Sequence, residues 1–135
     1  MLLVDDDPDI LRFIEMIMRR DGFEDIATTE EGEEGLRLAA DLLPDLILTN
    51  VLMAKISGFE MVERIRKDLG LIEPCIIFVT SRRLPSDRAL GLEVGADGYI
   101  TKPFDPTDFV PEIGRILGET TERRKPLAGR RRASG

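Results

Sequence analysis

The chain contains no histidine among its 135 residues. That absence removes Ser-His-Asp and Cys-His nucleophilic catalysis, and histidine-ligated zinc, from the functions open to it. Cysteine occurs once, at Cys75 inside an apolar run, so no internal disulfide can form. A reactive thiol wants basic or imidazole neighbours; Cys75 reads instead as a small buried hydrophobe in a reducing compartment. No run of about 18 apolar residues occurs, so no membrane span is expected. Leu2-Leu3-Val4 runs straight into Asp5 without a basic lead, which is unlike a signal peptide. These absences point to a cytoplasmic protein. Positive charge is scarce in the body and concentrated at the end. Residues 1–118 carry 13 Lys and Arg against 24 Asp and Glu, a net −11, whereas residues 119–135 carry 6 against 2, a net +4. An acidic body of this kind is a poor nucleic-acid binder by itself.

What is present is an alternation, five times over, of short apolar runs with helical periodicity. Leu2-Leu3-Val4 ends at Asp5. A helix follows with Ile10, Phe13, Ile14, Ile17 and Met18 on one face, and Gly22 ends it. Residues 23–28 form a weaker, half-polar strand suited to a sheet edge. A second helix over residues 32–42 points Leu36, Ala39 and Leu43 inward; Gly35 within it costs about 1 kcal/mol against alanine and would permit close packing on the sheet. The third run, Leu46 to Leu48, ends in Asn50, and a loop closes at Gly58. The third helix spans 59–69 with Val62, Ile65 and Leu69 inward, stopped by Gly70. A fourth strand begins at Cys75 and runs to Val79, ending in Thr80-Ser81; the helix after it is short, with Ser86 as cap. Gly98 to Thr101 is the fifth strand, followed by Lys102-Pro103-Phe104. The last helix is capped by Asp105, has Pro106 at its first position and buries Phe109, Ile113, Ile116 and Leu117. Pro111 predicts a kink or a late start. Strands and helices at this spacing imply βαβ units with right-handed crossovers and a doubly wound parallel α/β sheet. The domain is expected over 1–118. The basic 119–135 segment, without apolar periodicity, reads as a disordered tail.

Buried parallel strands deliver their last residues to one edge, where open α/β sheets place their sites. Four strand ends therefore meet there: Asp5-Asp6-Asp7, Asn50, Thr80-Ser81 and Lys102. Taken singly, each is an ordinary surface feature; an acidic triplet is commonly a solvated turn, and Asp7 before Pro8 is a helix cap. Taken together they describe a site. Adjacent carboxylates suit Mg²⁺, and a lysine and a hydroxyl opposite would hold a phosphoryl group or another small anion.

Leu2-Leu3-Val4-Asp5-Asp6-Asp7-Pro8, Pro44-Asp45-Leu46-Ile47-Leu48, Gly95-Ala96-Asp97-Gly98-Tyr99 and Thr101-Lys102-Pro103-Phe104 closely resemble the receiver domain of two-component response regulators, in order and spacing, over residues 1–118. The resemblance implies a flavodoxin-like (βα)5 fold with strand order 2-1-3-4-5. It implies a phosphoacceptor at the position of Asn50, Mg²⁺ held by Asp5, Asp6 and the backbone carbonyl of Leu52, phosphoryl partners at Thr80 and Lys102, a switch aromatic at Tyr99 and a cis Lys102–Pro103 bond. It also implies a sensor histidine kinase or phosphotransfer protein as upstream partner, a downstream protein on the Tyr99 face, and a second copy of the chain as a further candidate partner.

One position departs from the pattern. An amide cannot act as the carboxylate nucleophile that forms an acyl phosphate, and it offers a cation only a neutral carbonyl oxygen, so Mg²⁺ should be held more weakly. Asp45 lies at the far end of the same strand, and Thr49 points to the other face. The reading is a non-enzymatic, phosphorylation-independent interaction module. Its nearest rival is an ordinary phosphoaccepting regulator carrying an engineered Asp-to-Asn change. Ala54, where the family usually has proline, and Ser57, where it often has aspartate, favour natural divergence. A more distant rival is a phosphatase with Asp5 as nucleophile; Pro8-Asp9 breaks its usual motif, and no cap domain fits in this length.

Overall fold

A computed structural model describes residues 1–123. Five parallel strands, β1 (Leu2–Val4), β2 (Ala27–Thr29), β3 (Leu46–Thr49), β4 (Cys75–Thr80) and β5 (Gly98–Thr101), form one sheet in the order β2-β1-β3-β4-β5. The helices are α1 (Pro8–Arg20), α2 (Gly32–Leu42), α3 (Gly58–Lys67), α4 (Pro85–Glu93) and α5 (Pro106–Arg123). Both the parallel sheet and its strand order are those expected.

Both faces of the sheet are covered, so its strands are apolar on both sides. Period-two alternation divides them. Leu2, Val4, Ile47, Ile76 and Phe78 join Ala39 of α2 and Met61, Val62 and Ile65 of α3 in one core. Leu3, Leu46, Leu48, Cys75, Ile77 and Val79 join Leu11, Ile14, Ile17 and Met18 of α1 and Phe109, Ile113 and Ile116 of α5 in the other. Gly35 has the role expected of it: α2 packs close on α3 and β1, and a Cβ there, 2.8 Å from Met61 Sδ and 3.3 Å from a Val4 methyl, would have to displace the Met61 side chain.

Several details differ from the sequence expectation, each for a local reason. The buried face of α1 is rotated: Leu11 is inside, and Phe13 is 36% exposed because it leaves the core to stack on Phe104, ring centroids 6.0 Å apart. The edge strand β2 covers 27–29 rather than 23–28, since its pairing with β1 begins only at Ala27 opposite Leu2. Leu43 is 62% exposed; it is the left-handed cap of α2 at φ 46°, which turns it out of the helical face. Helix α3 stops at Lys67, so Leu69 is exposed, while Met61 nearer its start joins the core. Helix α4 is capped at Leu84 with Pro85 first, not at Ser86; the Asp87 carboxylate accepts the Leu84 N–H at 3.3 Å. Helix α5 starts at Pro106 and is continuous through Pro111, without the expected late start; the carbonyl left without that N–H belongs to the exposed Thr107. The same helix runs on to Arg123 and buries Thr120, with Leu117 only partly buried, so residues 119–123 are helical where a disordered tail was expected. The remainder of that tail, 124–135, lies outside the described residues.

The lower edge of the sheet is tied by an ion pair whose side chains are 11% and 6% exposed, Arg66 to Asp97 at 3.0 Å. Asp97 also accepts the Ile76 N–H at 2.9 Å, and Arg66 donates to the carbonyls of Gly95 and Leu71. Helix α3, β4 and β5 thus share one polar clip. Asp97→Ala would leave a guanidinium and a backbone N–H without this partner in a dry site. We expect a loss of about 3 kcal/mol in unfolding free energy, read from urea denaturation with an unchanged slope.

Candidate functional site

Asp5 follows β1, Asn50 follows β3, Thr80 ends β4 and Lys102 follows β5, so parallel strands bring all four to one edge. Backbone hydrogen bonds carry the register past the strand ends: Asp5 N–H to the Thr29 carbonyl, Asn50 N–H to Val4, and Lys102 N–H to Thr80. Asp5 is 3% and Asn50 9% exposed, whereas Asp6 lies at the surface. The Lys102–Pro103 bond is cis, as the resemblance implied.

The acidic pair is divided in its contacts. Lys102 Nζ donates to Asp5 Oδ2 at 2.7 Å, and the Asp7 N–H donates to Asp5 Oδ1 at 3.0 Å. Burial pushes the Asp5 carboxyl above its ordinary pKa. The lysine hydrogen bond, the Asp7 amide and the lysine charge pull it back only in part. Asp6 instead faces Asn50, whose Nδ2 lies 3.5 Å from Asp6 Oδ1 and donates to the Leu52 carbonyl at 3.1 Å. The other end of the amide, Oδ1, accepts the Val51 N–H at 2.9 Å. That bond decides which end faces the loop. The donor end points at Asp6 and Leu52, and the acceptor end is taken by Val51. Thr49, on the opposite face as expected, is 1% exposed and donates its hydroxyl to the Asn50 carbonyl.

Thr80 is fully buried, and its Oγ1 accepts the Arg82 N–H at 3.3 Å. Tyr99 lies one layer further out. Its ring is 6% exposed, packs on Phe78 and carries the Arg88 guanidinium 5.2 Å from its centroid; its hydroxyl donates to the Arg82 carbonyl at 2.8 Å. Burial and the Asp87 charge push the Tyr99 pKa up. Arg82, Asp87 and Arg88 were missed in the sequence reading. Arg82 directly follows Thr80-Ser81, but its ion pair with Asp87, 3.0 Å, exists only once the loop folds back onto α4. At Gly58, where the sequence predicts the end of the loop, the backbone is closely approached. Its N–H donates to the Val51 carbonyl at 2.7 Å, and a Cβ there would stand 2.0 Å from the Asn50 carbonyl oxygen.

Asp5, Asp6 and the Leu52 carbonyl are hard oxygen donors of the kind Mg²⁺ takes, so the set fits that ion in chemistry. With Asn50 between them, the fit lacks a third carboxylate. Among the described residues, no group of three or more Asp, Glu, Cys or His side chains is arranged to hold a metal.

Residues 1–113 match the family described as the response regulator receiver domain. The chain is 37% identical over 116 residues to the alkaline phosphatase synthesis transcriptional regulatory protein PhoP of Bacillus subtilis, covering 86% of this chain and 47% of that one. It is 34% identical over 112 residues to the DNA-binding response regulator MtrA of Mycolicibacterium smegmatis, covering 83% and 47%. The chain thus spans about half the length of these curated relatives. Among solved structures, it superposes on a CheY-like receiver domain protein from Methanospirillum hungatei with a TM-score of 0.81 at 29% identity, covering 90% of this chain and 95% of that one. Chemotaxis protein CheY4 of Vibrio cholerae gives 0.79 at 30%, covering 85% and 95%.

The tight approach at Gly58 gives a direct test of how the loop is held. Gly58→Ala places a methyl against backbone that has no slack, so the 51–57 loop must move. We expect a stability loss of about 3 kcal/mol and displaced amide resonances at Asn50 to Met53, measured by urea denaturation and heteronuclear NMR.

Proposed function

The chain belongs to the response-regulator receiver domain family, and from that premise we propose that it is a two-component signalling module whose acceptor position, Asn50, takes no phosphoryl group. The observation that carries this reading is the Asn50 amide itself. It is neutral, its nitrogen lone pair is delocalised, and both of its ends are hydrogen-bonded within the loop. Thr49 does not replace it, being buried with its hydroxyl turned to the Asn50 carbonyl. Natural divergence is favoured over an engineered change because Ala54 and Ser57 also depart from the family loop; Ser57 serves as the cap of α3, its Oγ accepting the Glu60 N–H at 3.1 Å. A phosphatase role for Asp5 is disfavoured, since that carboxylate is buried and both of its oxygens are engaged.

In this reading Asp5, Asp6 and the Leu52 carbonyl are the residues that would hold Mg²⁺, weakly. A bound ion would neutralise charge on an incoming anion. Thr80 and Lys102 are the phosphoryl-site partners of the family pattern, with Lys102 held ready by Asp5. Upstream partners are a sensor histidine kinase or phosphotransfer protein. A downstream protein, or a second copy of the chain, meets the face around Tyr99. Because that ring is buried, the surface is supplied by its neighbours on α4 and its cap, where Leu84, Leu90 and Leu92 are 63%, 40% and 53% exposed near Arg88. The transcriptional roles in the relatives' names belong to proteins about twice the matched length, and the acidic body here is unsuited to nucleic acid by itself. No helix among the described residues is long and apolar enough to cross a membrane, and the family assignment is the ground on which we place the protein in the cytoplasm. The family match ends at residue 113. Helix α5, the last element of the receiver, continues past residue 118 through Arg123, the last described residue.

The test is restoration of the acceptor. Asn50→Asp, given acetyl phosphate and Mg²⁺, is expected to gain the mass of one phosphoryl group, lost again in mild base as acyl phosphates are; the unaltered chain gains none. Modification of the unaltered chain would refute the reading, and an inert Asn50→Asp variant would show that the cleft differs by more than its acceptor.

A further inference from the structure

Nδ2 of Asn50 carries two hydrogens and faces two oxygens, the Leu52 carbonyl at 3.1 Å and Asp6 Oδ1 at 3.5 Å. These are two of the three oxygens assigned to the cation above. The third ligand, Asp5, has its charge met at 2.7 Å by the Lys102 ammonium. We propose that the Asn50 amide takes the bridging position of the divalent cation, so that this receiver holds its cleft and its 51–57 loop in place without metal. The inference rests on the assignment of Asp5, Asp6 and Leu52 as the ligand set and adds the cause of the weak binding.

The amide is locked in this role. Turning it over to present Oδ1 to a cation would remove the Val51 N–H bond at 2.9 Å and set the amide's own N–H groups against that backbone N–H. It would also remove the bond to Leu52. Binding of Mg²⁺ at the unaltered site must therefore break an existing brace, and the amide hydrogens directed at Asp6 and Leu52 repel an ion seated on those same oxygens. An aspartate at this position has no hydrogens to donate there. It would leave Leu52 without its donor and set a third carboxylate beside Asp6, and both changes call for a cation. The rest of the loop fits a permanently set arrangement: Gly58 donates to the Val51 carbonyl at 2.7 Å and Ser57 caps α3.

A loss of charge alone and a competing brace make opposite predictions for Asn50→Ala. Alanine has neither charge nor donor. If only charge mattered, it would bind Mg²⁺ no better than asparagine, and worse if the amide carbonyl were a ligand. If the amide blocks the site, alanine frees Leu52 and Asp6 and binds Mg²⁺ about tenfold more tightly than the unaltered chain, the worth of one hydrogen bond. Mg²⁺ alone is titrated against the full chain, Asn50→Ala and Asn50→Asp, followed by the amide resonances of Asp5 to Asp7 and Val51 to Met53. Equal or weaker binding by Asn50→Ala overturns the proposal. A second measurement does not depend on that variant folding. Millimolar Mg²⁺ should leave hydrogen exchange in the 51–57 loop unchanged in the unaltered chain and slow it in Asn50→Asp; slowing in the unaltered chain overturns the brace. Failure of both variants to bind Mg²⁺ overturns the ligand assignment and the brace with it. None of these outcomes turns on phosphoryl transfer, so they separate this inference from the reading of Asn50 as an inert acceptor.

Discussion

Lys102 and Asp5 leave the sheet three strand spacings apart, about 14 Å, yet their charged atoms meet at 2.7 Å. That contact sets the terms for the cleft. Asp5 is 3% exposed, and a carboxylate taken out of water is costly unless a cation and hydrogen bonds replace its hydration. Burial raises the pKa of Asp5, and lysine and the Asp7 N–H restrain that rise. The lysine must therefore lie inward over the strand ends, and the loops after β1, β3 and β5 must close around it. Sheet order is what makes this feasible. With β3 and β4 between them, Asn50 and Thr80 fall on the path from one charge to the other.

The same edge shows why one amide alters the chemistry and leaves the fold intact. Asparagine has the shape of aspartate, so β3, the Val51 turn and the contact of Gly58 with the Asn50 carbonyl need no adjustment. What changes is direction. A carboxylate only accepts; an amide accepts at one end and donates at the other. The Val51 N–H takes the accepting end, and the donating end then satisfies Leu52 and leans on Asp6. The polarity of the whole cleft follows from that one backbone donor.

Much of this was legible in the chain. The apolar runs and their intervening helical spacings specify a parallel sheet, and the ends of those runs pick out Asp5, Asn50, Thr80 and Lys102, because a strand's last apolar residue marks its carboxyl edge. Less legible were features decided by what approaches from elsewhere. Phe13 has helical spacing suited to the core, but Phe104 draws it outward. Leu43 and Leu69 continue an apolar period that the backbone has already left. The partner of Lys102, the orientation of the Asn50 amide and the Arg82–Asp87–Tyr99 group depend on loops meeting across the sheet, and no local period encodes that.

The charge at the cleft gives the last step. Asp5, Asp6 and Lys102 leave one net negative charge over the strand ends, where an aspartate at position 50 would leave two. That second charge would repel Asp6 and compete with Asp5 for the Lys102 ammonium. Asparagine removes that competition. Lys102 stays on Asp5, Leu52 stays on the amide, and Thr80 keeps its Arg82 N–H, which connects onward through the Arg82 carbonyl to the Tyr99 hydroxyl. Among the described residues, no buried side-chain polar atom lacks a hydrogen-bond partner. An ordinary acceptor leaves its cleft short of positive charge, and that shortage is what a cation and a phosphoryl group act upon. In the function proposed above, that shortage is smaller and met within the chain, so the β4–α4 region would keep one arrangement and a partner of the Tyr99 face would meet a surface set without a signal at position 50.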